Sequence, residues 1–148
     1  MALDPSYAGR SYPPTPSYRV GREKIGEFAD AIGATEAAYR DAAVATALGY
    51  ADVIAPATFP IVLAAAGLRQ LVDDPGLGLD FSRVLHAEQR FAYRRPVQSG
   101  DRLHCVLTIE EITSRAGNDF ITARTEVTTD EGEPVVTAWN KLVVRGTQ

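Results

Sequence analysis

The stretch that most limits the fold is Ile61-Val62-Leu63-Ala64-Ala65-Ala66-Gly67-Leu68, in which no side chain is polar on any helical face. Pro60 sits where a first helical turn tolerates proline, and Thr58 is the candidate N-cap. Asp73-Asp74-Pro75-Gly76 ends the run, so the spacing predicts a helix over about 58–72. A helix that is apolar all round must be buried all round. A chain of 148 residues can build one core, and the direct way to hide such a rod is a curved sheet wrapped about it. Ala64, Ala65, Ala66 and Gly67 would let that sheet come close.

The C-terminal half supplies the sheet. Residues 83–94 form a candidate strand ending at Arg95-Pro96. Over 102–113, Leu103, Cys105, Leu107 and Ile109 alternate with His104, Thr108 and Glu110. Over 119–129, Ile121, Ala123, Thr125 and Val127 lie opposite Thr122, Arg124 and Glu126, and 135–144 is rich in valine around Trp139. Turn signals at Ser99-Gly100-Asp101, Ala116-Gly117-Asn118-Asp119 and Asp130-Glu131-Gly132 separate these strands.

Helices come first. Residues 22–33 place Ile25, Phe28, Ala29 and Ile32 on one stripe, with Gly33 as the C-terminal cap. A shorter helix runs from Asp41, its N-cap, to Leu48, with Gly49 as its stop. Tyr18-Arg19-Val20 is a short strand or turn. Residues 1–16, rich in Pro, Ser and Tyr, read as an extended lead-in, and 17–148 as one domain. Helices followed by a run of strands indicate an α+β fold with an antiparallel sheet.

A net charge of −4 with no basic block removes the electrostatic footprint of a nucleic-acid binder and of a polybasic membrane anchor. Ile61 to Gly67 is too short to cross a bilayer, and the proline-rich start has no apolar signal region. The chain therefore reads as cytoplasmic. Its one cysteine, Cys105, falls inside an alternating strand and reads as core packing. His86, His104 and Cys105 lack metal-ligand spacing, and neither a phosphate-binding glycine loop nor a nucleophile elbow occurs. No metal and no cofactor is expected.

Three segments carry a family resemblance when taken in order. The first is Phe28-Ala29-Asp30-Ala31-Ile32-Gly33, continuing through Tyr39-Arg40-Asp41 to Gly49-Tyr50. The second is Ile54-Ala55-Pro56-Ala57-Thr58-Phe59-Pro60. The third, and most specific, is His86-Ala87-Glu88-Gln89-Arg90-Phe91 followed by Arg94-Arg95-Pro96 and Gly100-Asp101. From about Tyr18 to Val144 the chain resembles the MaoC-like dehydratase/hydratase family, in its N-terminal, fatty-acid-synthase-like branch. The resemblance implies a hot-dog fold, in which the sheet wraps a central helix, and a pair of such units with an acyl channel along their seam.

Catalytic members of that family carry Gly-Asp-x-Asn-Pro-Leu-His after the first helix. Adding water to an enoyl thioester, or removing it, needs proton transfer at the α-carbon and at the β-oxygen. Backbone N–H groups at the start of the central helix polarise the thioester carbonyl. The matching run here is Gly33-Ala34-Thr35-Glu36-Ala37-Ala38-Tyr39. Ala34 stands in place of the aspartate and Tyr39 in place of the histidine, so the chain is expected to supply no catalytic residue of its own. Alanine transfers no proton, and tyrosine is a poor base at neutral pH.

Among nearby groups, Asp30 and Glu36 read as solvated carboxylates, Asp41 as a cap, His104 as a surface residue, and His86 as a structural hydrogen-bonding residue. The resemblance assigns substrate binding to Ala57, Thr58 and Phe59 at the start of the central helix, to Tyr39 at the channel mouth, and to Glu88 and Gln89 flanking the seam. It implies a subunit of a (3R)-hydroxyacyl-thioester dehydratase of fatty-acid metabolism, acting on acyl-CoA or on acyl carrier protein thioesters. Its partner would be a second copy or, in a heterodimer, a catalytic MaoC-like subunit. Two other readings stand beside it: an autonomous homodimer using Glu36, Tyr39 or His86, and a non-catalytic acyl-thioester binding or regulatory protein.

Overall fold

The computed structural model describes residues 3–146; Met1 and Ala2 of the lead-in and Thr147 and Gln148 of the domain lie outside it. Helix α1 spans Arg22–Ala31 and buries Ile25 and Ala29, with Phe28 half-buried. Ile32, expected on the same stripe, is 50% exposed because it is the C-cap, where the chain leaves the helical path. Gly33 at φ +70° then reverses the chain. Its N–H donates to Asp30 O and that of Ala34 to Ala29 O (3.1 and 2.8 Å), the paired bonds of a glycine-terminated helix. Helix α2, Ala42–Ala47, begins as expected, with Asp41 accepting from the N–H groups of Ala43 and Val44.

Helix α3, Pro60–Asp73, starts later than the sequence suggests, and Thr58 does not cap it. Phe59 holds the cap position with no side-chain bond. Tight i to i+3 turns lead into the helix instead: Phe59 N–H donates to Pro56 O, Ile61 N–H to Thr58 O and Val62 N–H to Phe59 O. The Thr58 residue is left exposed.

Among the described residues five strands form one antiparallel sheet in the order β1-β3-β4-β5-β2. They are β1 Tyr18–Arg19, β2 Val84–Tyr93, β3 Arg102–Arg115, β4 Asn118–Thr129 and β5 Pro134–Val144. Register aligns the concave-face residues in rows beneath α3. Cys105, Val127, Val136 and Tyr93 form one row; Leu107, Thr125, Ala138 and Phe91 the next; Ile109, Ala123, Asn140 and Gln89 the third; and Ile112, Ile121, Leu142 and His86 the fourth. Gly67 of α3 sits over Leu107. Cys105 is buried, and burial pushes its thiol up to about 11, as core packing requires.

The helix is not hidden on every side. Leu63, Ala64, Gly67 and Leu71 are buried, but Ala65 and Ala66 are exposed. One sheet covers one face of a helix, and the expectation of all-round burial fails for the chain taken alone.

The lead-in lies along the β3 edge. Gly9 N–H donates to Ile109 O, Tyr12 N–H to Leu107 O and Thr15 N–H to Cys105 O, while Ile109 N–H donates to Arg10 O. Tyr12 Oη donates to Asp74 (2.8 Å) and Gln70 Nε2 to Pro13 O (3.0 Å), tying this strap to α3. With that edge occupied, β2 is the open edge of the sheet.

A Cβ added at Gly67 would meet Leu107 Cβ and Cδ1 at 3.5 Å, an ordinary contact. Gly67→Ala should therefore fit and raise stability by about 1 kcal/mol, the usual gain over glycine in a helix interior. Urea denaturation checks this; a lower midpoint would mean that α3 lies closer to β3 than described.

Candidate functional site at the start of the central helix

Local geometry gathers several of the expected residues at the entry to α3. Phe59 is fully buried, with its ring edge-on to Phe28 at 5.5 Å and 78°. It anchors the turn through packing, and its N–H is spent on Pro56 O. The preceding residues, Ala57 and Thr58, are exposed, and no acceptor among the described residues engages their N–H groups. Such free N–H groups at a helix start favour a carbonyl oxygen or an anion.

Two tyrosines flank this turn. Tyr39 packs half-buried against the core cluster that contains Phe59. Burial, with the nearby Glu36 carboxylate, holds its hydroxyl above the usual tyrosine range. Tyr93, at the end of β2, donates its hydroxyl to Ala57 O at 2.7 Å. Burial raises its pKa as well, and the neighbouring Tyr39 adds to the effect. Both phenols therefore stay protonated near neutrality and act as hydrogen-bonding groups. The sequence reading missed Tyr93. Its inward parity with Gln89 and Phe91 along β2 carried the signal.

The loop that bears Ala34 is pinned by Arg40, whose guanidinium donates to Asp30 (2.5 Å) and to Ala34 O (2.6 Å). Asp30 is thus an exposed ion-pair partner, and Glu36 is exposed at the start of the Ala37–Tyr39 turn.

Glu88 and Gln89 do not join this group. They lie on the edge strand, on opposite faces: Glu88 faces outward towards Lys141 (4.0 Å), and Gln89 faces inward and accepts from Asn140 Nδ2 (2.5 Å). His86 is seven residues from Tyr93 along β2, about 23 Å, and its Nε2 contacts Glu88 O at 2.9 Å. His104 faces outward beside Asp130 (3.5 Å). No cluster of metal-ligating residues occurs among the described residues, and none of their helices is long and apolar enough to cross a membrane.

The exposed side of α3 faces the Phe81 turn that leads into β2. Ala65, Leu68, Arg69 and Val72 line a cleft of about 240 Å³ with Phe81, which is 66% exposed. An exposed apolar helix face and an unpaired edge strand are each surfaces that another chain can cover.

Residues 6–138 match the family described as the FAS1-like, dehydratase domain region. A UPF0336 protein of Saccharopolyspora erythraea is 56% identical over 99% of this chain and 94% of its own length. Another from Streptomyces coelicolor is 56% identical over 100% and 99%. Among solved structures, the C-terminally truncated HadBC (3R-hydroxyacyl-ACP dehydratase) complex of Mycobacterium tuberculosis superposes with a TM-score of 0.83 at 31% identity, over 97% of this chain and 99% of that one. A MaoC-like dehydratase superposes with a TM-score of 0.88 at 33% identity, over 96% of this chain but 43% of that one. The curled antiparallel sheet with its central helix is the hot-dog fold of these dehydratases, and the chain belongs to the FAS1-like dehydratase-region family.

Proposed function

We propose that this chain is the acyl-thioester-holding subunit of a (3R)-hydroxyacyl-thioester dehydratase, and that a second hot-dog subunit supplies the Asp/His pair. What supports the reading is the pairing of a turn whose N–H groups suit a carbonyl oxygen with positions that lack the family's Asp/His pair. Ala57 and Thr58 offer free N–H groups beside Tyr39, while Ala34 and Tyr39 occupy the positions that match the family dyad. Both histidines lie elsewhere.

In this role the Ala57–Thr58 turn receives the thioester carbonyl oxygen and Tyr39 borders the mouth. The acyl chain runs from there along α3 towards β2, where the seam forms. Two features support pairing. The β2 edge is unpaired, and the uncovered face of α3 borders a cleft closed by Phe81, which precedes β2 in the chain. A MaoC-like dehydratase chain of which this fold fills 43% has length for a second unit of the same size. The substrate is carried on coenzyme A or acyl carrier protein.

Crotonyl-CoA hydration separates the readings. The purified chain alone should give no turnover. Mixed with a hot-dog protein bearing the intact Asp/His motif, it should raise the rate at least tenfold over that protein by itself. Turnover by the chain alone would instead identify an autonomous enzyme. Acyl-CoA binding with no turnover in either arm would identify a binding protein. Ala34→Asp combined with Tyr39→His should confer measurable hydration on the chain alone, since the N–H groups are already in place. An inert but folded double variant would contradict the positional match.

A further inference from the structure

The Ala57–Thr58 peptide is the central peptide of a turn whose flanks are held by the backbone. Phe59 N–H donates to Pro56 O at 2.9 Å, and Ile61 N–H donates to Thr58 O at 3.1 Å. Among the described residues the central peptide itself receives one hydrogen bond, from a side chain: Tyr93 Oη donates to Ala57 O at 2.7 Å. Chemistry fixes the direction of this bond, since a carbonyl oxygen only accepts. Tyr93 is firmly mounted. It pairs with Val136 in the sheet, its ring lies 6.4 Å from that of Phe91, and the next residue, Arg94, donates its N–H to Val135 O at 2.8 Å.

Burial does not demand this bond. Ala57 is exposed, and water could serve its carbonyl, yet a phenol 36 residues away in sequence reaches it. The carbonyl and the N–H of one trans peptide point in opposite directions. A donor seated on Ala57 O therefore holds the plane of the peptide and turns the Thr58 N–H to the far side. It also polarises the peptide, which makes that N–H a stronger donor. Thr58 keeps the sense of the turn by itself. Inverting the central peptide would need a positive φ at Thr58, which it does not have and which a β-branched residue avoids. What remains free is the tilt of the peptide, and Tyr93 takes it up.

Accepting that this turn receives the thioester carbonyl, on which this inference rests, we propose that Tyr93 is a positioning residue for the reaction. Through Ala57 O it aims and polarises the Thr58 N–H that meets the thioester oxygen. Tyr93 does not touch the substrate in this role. Its effect grows as negative charge builds on that oxygen, so it acts on the rate of the bound thioester more than on its binding.

Tyr93→Phe tests this, because it keeps the ring against Phe91 and removes only the hydroxyl. In the chain paired with a hot-dog protein bearing the Asp/His motif, kcat for crotonyl-CoA hydration should fall tenfold or more, with KM changed less than threefold. A merely structural hydroxyl would lower the melting temperature without that split. In the ligand-free chain, the Thr58 amide nitrogen resonance should move upfield, as it does when the carbonyl of its own peptide loses a donor. Replacing Tyr93 by 3-fluorotyrosine, a stronger donor of nearly the same shape, should move that resonance the opposite way, and it keeps the test valid if Tyr93→Phe fails to fold. A Thr58 resonance indifferent to both changes, or a folded Tyr93→Phe variant with kcat unchanged, overturns the positioning role and leaves the thioester-holding role standing. A native pair without turnover, in which the Thr58 resonance still follows Tyr93, overturns the thioester-holding role and the catalytic purpose of Tyr93 with it.

Discussion

Little more than methyl groups separates α3 from the trough of the sheet. Ala64 and Gly67 are buried there, and Gly67 lies within van der Waals reach of Leu107. Close approach fixes the axis of the helix relative to β3, β4 and β5. Phe59, seated against Phe28, then fixes its first turn. With the helix held at both places, the exposed N–H groups of Ala57 and Thr58 stand beside Tyr39 and Tyr93. Larger side chains along the buried face would lift the helix and carry this constellation away from the strands that frame it.

The same fit leaves work undone. A single curled sheet buries one side of α3 and exposes Ala65, Ala66 and the cleft beside Phe81. The lead-in strap occupies the β3 edge through a ladder of backbone bonds, so the remaining unpaired edge is β2. An unpaired edge and an uncovered apolar helix face each favour association. Trp139 is covered by Arg90 (3.9 Å to the ring centroid) and donates to Glu110, which also receives Arg124.

Much of this was legible in the residues. Period-two alternation placed Leu103, Cys105, Leu107 and Ile109 inward, and Ile121, Ala123, Thr125 and Val127 likewise, because a strand with one buried face can hold only one register. Gly33 and Asp41 marked their helix ends because each supplies a specific backbone need. What was not legible depended on neighbours in space. Thr58 resembles a cap, but Pro56 and Pro60 frame a tight turn that meets the backbone needs itself. Glu88 and Gln89 are adjacent in sequence, and a strand sends adjacent side chains to opposite faces. Asn140 falls in a valine-rich strand, and only its register sets it opposite Gln89.

The central claim is that this hot dog is half of a two-unit particle joined through β2. Amide hydrogen exchange along β2, measured in the particle the chain forms with a motif-bearing hot-dog partner or with itself, tests it most directly. The account predicts strong protection of the β2 amides that face away from β5, which have no acceptor within the chain's own sheet. Exchange of those amides at the rate of a solvent-exposed strand, in a particle with the mass of one chain, would contradict it.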